Sequence, residues 1–270
     1  MSKKTIKRVG IIGLGAIGKR VLAALKKDHL PNAEYAVIDP SAAAVGFAAE
    51  NSIELFYGAG ELLAWKPDLV IECAGHGAVV HVVPQVLEAG VDVVIASIGA
   101  MADRELAGKL ESAAEKGGAR LILVSGAIGG LDAMRSARSA GLEAVVYTGR
   151  KPPQAWAGTP AEDEFDLQRI EIPTTIFRGT AAEASMRFPK NANVTAAVAL
   201  SGVGFDETKV ELIADPTVAK NVHEVNVKGA FGELEIRLVN NPLPDNVKTS
   251  WLAALSIEEA VSKQVLTTVF

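Results

Sequence analysis

Short apolar runs alternate with amphipathic stretches through the first half of the chain. Residues 9–12, 35–38, 69–73, 92–96 and 120–124 are nearly continuous in apolar side chains, the pattern of strands covered on both faces of a parallel sheet. Between them, residues 16–27, about 78–89 and 103–116 space their apolar positions as helices do, and Gly117-Gly118 stops the last of these. Strand and helix in alternation predict a doubly wound α/β sheet with at least five parallel strands. The crevice of such a sheet lies beyond the carboxyl ends of its strands, here at Gly13, Asp39, Cys73, Ala96 and Ser125.

The pattern changes after Ser125. A helix is predicted over 130–139, a strand over 144–148, a Pro- and Gly-rich loop over 151–166 and a strand over 170–177. Residues 194–200 have the small-residue texture of a packed helix. Residues 209–214, 222–228 and 232–239 alternate as strands, the last two joined as a hairpin around Gly229-Ala-Phe. The second half is therefore expected to be an α+β domain with an open, mostly antiparallel sheet. A helix over about 249–262 closes the chain. The expected division is a first domain over residues 1–125 and a second over 126–247, with the helix at about 248–270 packing back on the first.

One loop in the first domain carries chemistry. Gly13-Leu-Gly15-Ala16-Ile17-Gly18 ends the first strand and opens the first helix, and Asp39 ends the second strand about 20 residues on. Gly13 permits a sharp turn, Gly15 lets a pyrophosphate approach the backbone, and Gly18 lets helix and strand pack closely. The helix start offers free N–H groups and the positive end of its dipole to phosphate. A glycine turn serving only to pack helix on strand would leave the timing of Asp39 unexplained. Gly13, Gly15, Ala16, Ile17, Gly18 and Asp39 are thus candidate dinucleotide contacts. The Asp39 carboxylate suits the ribose hydroxyls of NAD and repels the 2′-phosphate of NADP, and Pro40-Ser41 supplies no arginine for that phosphate. Ser97-Ile-Gly99-Ala and Ser125-Gly126-Ala127-Ile-Gly129-Gly130 follow later strands. They are either simple turns or the wall on the nicotinamide side.

Composition narrows the classes. The chain has 270 residues, 49% of them apolar, and a net charge of −5. The balance is mildly acidic and no block of Lys/Arg stands out, which argues against nucleic-acid binding. No run of apolar residues is long enough for a membrane span. The single cysteine, Cys73, excludes an intrachain disulfide and a cysteine zinc site. His76 and His81 lack helical i,i+4 spacing, so no metal site is expected. A cytoplasmic location is expected.

Among the four histidines, His29 is expected at the surface and His81 in helix packing, while His76 lies beyond a strand end near the crevice. His223 shares one face of its strand with Val225 and Val227. On pattern alone it is either a hydrogen-bonded core histidine or a general acid/base. Asn191 and Asn193 precede a helix. They would either cap it or offer an amide to a nicotinamide carboxamide.

Taken together, these residues resemble the L-aspartate dehydrogenase family, whose two-domain architecture is like that of dihydrodipicolinate reductase. The marks are Gly13–Gly18, Ser97-Ile-Gly-Ala-Met-Ala-Asp103, Ser125–Gly130, Arg150-Lys-Pro-Pro153, Phe188-Pro-Lys-Asn-Ala-Asn-Val194, Asn221-Val-His223 and Lys248-Thr-Ser250. The resemblance implies His223 as the catalytic residue, with Ala127 and Asn193 on the cofactor. It implies reversible oxidative deamination of L-aspartate to iminoaspartate, then oxaloacetate and ammonia, with NAD as cofactor and NADP also accepted. The family's link to pyridine nucleotide biosynthesis comes with it. A dicarboxylate needs cationic and hydroxyl donors. Lys190, Lys248, Thr249 and Ser250 are the candidates, with Arg178 and Arg150 behind them. A homodimer through the second sheet is expected, since open sheets are usually covered. The competing readings are another NAD(P)-dependent reductase of this architecture and a non-catalytic dinucleotide-binding sensor.

Overall fold

The computed structural model describes residues 5–244 and 246–269, leaving aside the side chains of Lys190, Val247 and Lys248. It divides into two units. One runs to Val124 and takes the chain back from Ala254, and the other is Ser125–Ala253.

The first unit is a six-stranded sheet in the order β3-β2-β1-β4-β5-β6. Its strands are β1 (Arg8–Ile12), β2 (Glu34–Ile38), β3 (Glu54–Phe56), β4 (Leu69–Glu72), β5 (Asp92–Ile95) and β6 (Leu121–Leu123), and every pairing is parallel. The predicted doubly wound sheet is present, with one strand more than the five read from the sequence. β3 has three residues at the edge, too short to show a periodicity. β4 and β5 are buried along their whole length, which explains the apolar runs Leu69–Ile71 and Val93–Ile95 within them. The strand order reverses beside β1, opening the crevice between β1 and β4.

The helices of this unit are α1 (Ala16–Ala24), α2 (Ala42–Glu50), α3 (Ala59–Ala64), α4 (His76–His81), α5 (Val83–Glu88) and α6 (Arg104–Gly117). Asp103 caps α6 by accepting from the backbone N–H groups of Glu105 and Leu106, and Gly118 ends it in the left-handed region at φ 63°. The single helix expected over 78–89 is two, parted at Val82. Pro84 lacks the N–H that an uninterrupted helix would use there. His81 is exposed at the end of α4 and packs against no core. His29 is half-buried and its Nδ1 lies 2.7 Å from the Ser262 hydroxyl. That contact helps to hold the C-terminal helix, Trp251–Val265, on this unit. Arg20 meets Glu258 at 3.3 Å, Arg120 donates to Gln264 at 2.6 Å, and Ala254, Ile257 and Val261 are fully buried.

The second unit is a mixed sheet flanked by short helices. It contains α7 (Leu131–Ala137), β7 (Leu142–Lys151), α8 (Ala161–Glu164), β8 (Thr174–Thr180), α9 (Ala181–Arg187), α10 (Ala192–Ser201), β9 (Lys209–Ala214), β10 (Asn221–Gly229), β11 (Gly232–Asn240), β12 (Pro242–Leu243) and β13 (Asn246–Ser250). The main sheet has the order β11-β10-β7-β9-β8, antiparallel except for the β7–β9 pair. The predicted hairpin is β10–β11. α9 was not foreseen. Thr180 and Glu183 form its capping box, Thr180 accepting from the Glu183 N–H while the Glu183 carboxylate accepts from the Thr180 N–H. β7 extends to Lys151, beyond the run expected, because polar residues at its end alternate faces.

The sheet's two faces differ in chemistry. On β11, Leu234, Ile236 and Leu238 are half-buried while Glu233, Glu235, Arg237 and Val239 are exposed. The exposed side carries ion pairs from strand to strand. Arg150 pairs with Glu224 at 2.9 Å and Asp215 at 3.5 Å, Arg237 with Glu224 at 3.2 Å, and Arg178 with Glu211. Among the described residues, no helix is long and apolar enough to cross a membrane.

Candidate active site

In the first unit the glycine loop is built as its sequence requires. Gly13 sits at φ +94°, and a Cβ there would lie 2.8 Å from the Ala74 backbone. A Cβ on Gly18 would lie 2.0 Å from the Gly13 carbonyl oxygen. Both glycines are demanded by the protein itself. Gly15 is not. Its φ is −66°, ordinary for any residue, and a Cβ there would meet nothing within 4 Å. The glycine keeps clear the space before the start of α1, where no side chain caps the helix. Ala16, Ile17 and Gly18 form that first turn. A helix start left open in this way is the arrangement that holds a pyrophosphate in nucleotide-binding folds.

Asp39 closes the loop from the side. Its carboxylate accepts from the Leu14 N–H at 2.7 Å and the Ser41 N–H at 2.9 Å. Burial alone would raise its pKa, but the Ser41 and Leu14 hydrogen bonds and the Lys19 ammonium outweigh it and hold the group below the usual carboxylate range. Asp39 is therefore ionised, fixed to the glycine loop and still half-exposed.

Glu72 is a site residue that sequence reading passed over. It is fully buried at the end of β4. One oxygen accepts from the Ala74 and Gly75 N–H groups at 2.7 and 2.6 Å and from the Ser97 hydroxyl at 2.9 Å, and the other accepts from the Ser97 N–H at 3.0 Å. One carboxylate thus ties together the loops after β4 and β5, and Ala74 is the backbone against which Gly13 packs. The signal was available: a charged residue ending an otherwise apolar buried strand needs partners. His76 begins α4 beyond this loop, half-buried.

In the second unit, His223 is buried at 5% exposure on β10. Gly149 of β7 lies directly opposite, with Tyr147 and Lys151 two residues to either side on the same face. Tyr147 Oη is 2.9 Å from His223 Nδ1 and the rings stack 6.0 Å apart. A Cβ at Gly149 would lie 2.8 Å from that phenol oxygen, so glycine is what lets tyrosine reach histidine. Burial first, and then the Lys151 charge, pull His223 down to about 3. Burial likewise pulls Lys151 down to about 8 and pushes the Tyr147 phenol up. The Lys151 ammonium donates to Asn191 Oδ1 and lies 5.1 Å from the centre of the Trp156 ring.

Ala127 is buried, and its carbonyl accepts from Asn240 Nδ2 at 2.9 Å. Asn240 thereby anchors the loop of Gly126 and Gly130, both in the left-handed region at φ 67° and 70°. Asn193 is exposed on the first turn of α10. Ser250 is buried and Thr249 half-buried at the end of β13. The Lys190 and Lys248 side chains lie outside the described residues. Arg150 and Arg178, the reserve donors for a dicarboxylate, are engaged instead in the ion pairs of the outer sheet face. Among the described residues no cluster of side chains could hold a metal ion.

A dinucleotide loop on one unit and a buried histidine on a second, mixed-sheet unit define the class of two-domain nicotinamide-dependent dehydrogenases. The family described as "Aspartate dehydrogenase, C-terminal" matches residues 132–264, and that described as "Homoserine dehydrogenase, NAD binding domain" matches residues 13–124. The chain is 46% identical over 265 residues to an L-aspartate dehydrogenase of Ralstonia nicotianae, covering 95% of this chain and 97% of that one. It is 42% identical to the L-aspartate dehydrogenase of Pseudomonas aeruginosa, covering 93% and 95%. The crystal structure of aspartate dehydrogenase from Thermotoga maritima superposes with a TM-score of 0.78 at 27% identity, covering 99% of this chain and all of that one. The likeness to a myo-inositol 2-dehydrogenase of Lactobacillus plantarum, TM-score 0.56 at 15% identity, is one of fold alone. The chain belongs to the aspartate dehydrogenase family.

Proposed function

We propose that this protein is an NAD-dependent L-aspartate dehydrogenase, interconverting L-aspartate and iminoaspartate, which water carries on to oxaloacetate and ammonia. The observation that carries this reading is the buried Tyr147–His223 pair within the segment that matches the family's C-terminal domain. In it, residues up to about 125 and the C-terminal helix bind the nucleotide, and residues 126–247 bind substrate.

When bound, the dinucleotide supplies the hydride acceptor. Gly13, Gly15, Ala16, Ile17 and Gly18 hold its phosphates, Asp39 its adenosine ribose, and Ala127 and Asn193 its nicotinamide end. The Asp39 carboxylate favours NAD, and NADP is accepted less well. His223 moves the proton. In the deamination direction the amine or the attacking water must lose a proton, and a buried neutral imidazole accepts it. Tyr147 fixes the ring by holding Nδ1, leaving Nε2 for the transfer. Lys190, Lys248, Thr249 and Ser250 remain candidate donors to the substrate carboxylates.

A spectrophotometric assay of NADH at 340 nm tests this, using L-aspartate against other amino acids forward and oxaloacetate with ammonium in reverse. Turnover confined to the four-carbon dicarboxylates supports the assignment, and turnover of another amino acid or a sugar alcohol alone refutes it. The same reading makes the protein a cytoplasmic homodimer joined through the second sheet, in a route to pyridine nucleotides. Val239, half-exposed among the charges of β11, and the unpaired outer edge of that strand support the sheet as the joining surface. Light scattering at micromolar concentration distinguishes dimer from monomer.

A further inference from the structure

Lys151 presents an electrostatic imbalance. Its ammonium is enclosed deeply enough for burial to pull its pKa to about 8, yet its protein partners are neutral: the Asn191 amide oxygen and the face of Trp156. Among the described residues no carboxylate lies within ion-pair distance of it. The other cations of this sheet are treated differently. Arg150, one residue earlier and on the opposite face, has Glu224 and Asp215, and Arg178 has Glu211. A buried charge is ordinarily paired, because desolvating it alone is costly. Lys151 has no anion among the described residues, and it lies on the same face of β7 as Tyr147 and diagonal to His223.

We propose that Lys151 is the cation on which one carboxylate of the substrate docks, the ammonium leaving Asn191 or sharing it to do so. This rests on the dehydrogenase reading and deepens it, since it names the anchor for a dicarboxylate. It also links binding to proton transfer. The Lys151 charge is one of the two causes that suppress protonation of His223. A carboxylate set on Lys151 offsets that charge, so the imidazole becomes a better base once substrate is bound.

The test compares the wild type with Lys151→Met, Lys151→Gln and Lys151→Arg. Steady-state constants for L-aspartate are measured alongside calorimetric binding of succinate, an inert dicarboxylate, to the NADH complex. Loss of one charge-assisted contact should raise the aspartate KM and the succinate Kd by roughly 10- to 150-fold in the Met and Gln variants. NADH binding should stay within about twofold. A folded Met or Gln variant that binds succinate within about threefold of wild type overturns the proposal. So does a fall in kcat alone, which would make Lys151 a proton carrier and not an anchor.

A second measurement does not depend on the neutral variants folding. In the wild type, succinate affinity should weaken as pH rises through about 8, where free Lys151 loses its proton. Of the groups facing it, His223 is already neutral there and Tyr147 keeps its proton. The arginine variant, charged throughout, should hold its affinity to pH 10. A flat wild-type profile overturns the proposal. Wild-type protein that binds succinate through Lys151 but does not turn over aspartate would refute the function and leave the anchor standing. Turnover of aspartate with indifferent Lys151 variants would do the reverse.

Discussion

The phenol oxygen of Tyr147 and Nδ1 of His223 lie 2.9 Å apart on adjacent strands, both side chains buried. The bond has two tautomeric forms. With the phenol donating, Nε2 carries the ring hydrogen; with Nδ1–H donating, the Nε2 lone pair is free. In either form the ring is held in one orientation. Tyr147→Phe keeps the stack and removes the bond, leaving Nδ1 buried and unpaired. The expected result is a stability loss of about 1–3 kcal/mol and a kcat lowered by up to about 10²-fold through misplacement of the ring. Unfolding and turnover measured on one preparation separate the two effects. Unchanged kcat would show that Tyr147 only packs.

Replacing His223 itself should cost more. His223→Asn keeps polarity and approximate size but shuttles no proton at neutral pH. The expected fall in kcat is roughly 10²–10⁴-fold, the usual worth of general acid–base catalysis. NADH affinity should be nearly unchanged, because the glycine loop and Asp39 belong to the other unit. A folded variant keeping more than about a third of the wild-type kcat would make His223 a structural residue.

Most of the architecture was legible because its signals are local. Apolar runs with period two or none, and the timing of Gly13–Gly18 and Asp39, fix the first sheet before any long-range contact is known. The face of His223 followed from alternation along β10. What escaped depends on pairing between distant segments. Lys151 read as the start of a loop because Pro152-Pro153 follows it. Only the register of β7 against β10 sets it diagonal to His223. Asn240 gave no sign that it would hold Ala127, 113 residues away in the chain. Glu72 was visible as a charge in an apolar strand, but its partners come from two separate loops. β3 and α9 were too short to carry a periodicity.

Asp39 serves both the loop and the cofactor, so its replacement should register twice. Asp39→Ser removes the charge that repels a 2′-phosphate and one acceptor for the Leu14 N–H. The kcat/KM with NAD should fall, and the NADP-to-NAD ratio should rise by about tenfold or more, a change of at least about 1.4 kcal/mol. Kinetics with both cofactors decide this. A wild-type enzyme preferring NADP tenfold would contradict the role given to this carboxylate.

Glu72→Gln tests the buried tie between the loops after β4 and β5. The carboxylate accepts four hydrogen bonds, and an amide would turn an NH2 group toward donors. A loss of about 2–3 kcal/mol is expected, the scale of hydrogen bonds to a charged group. NADH affinity should weaken alongside, since Ala74 supports Gly13. Thermal unfolding with and without NADH measures both. A variant with unaltered melting temperature would mean that these hydrogen bonds do not hold the two loops together.

The buried imidazole also sets how the second unit responds to acid. Burial, and then the Lys151 charge, hold His223 near 3 in the folded protein, against about 6.5 in an unfolded chain. Between these values the unfolded state takes up a proton that the native state refuses. Stability therefore rises with pH across that window: the contribution is complete above about 6.5 and is lost as pH falls toward 3, at up to about 1.4 kcal/mol per pH unit. His223→Asn removes the titration. The variant should be the less stable protein at pH 7, for want of the Tyr147 bond, and the gap should narrow from pH 6.5 to 4. Hydrogen exchange of the β10 amides follows unfolding of this unit without interference from the other. A gap that stays constant over that range would mean that the histidine titrates alike in both states, and would contradict the enclosure that makes it a neutral base at working pH.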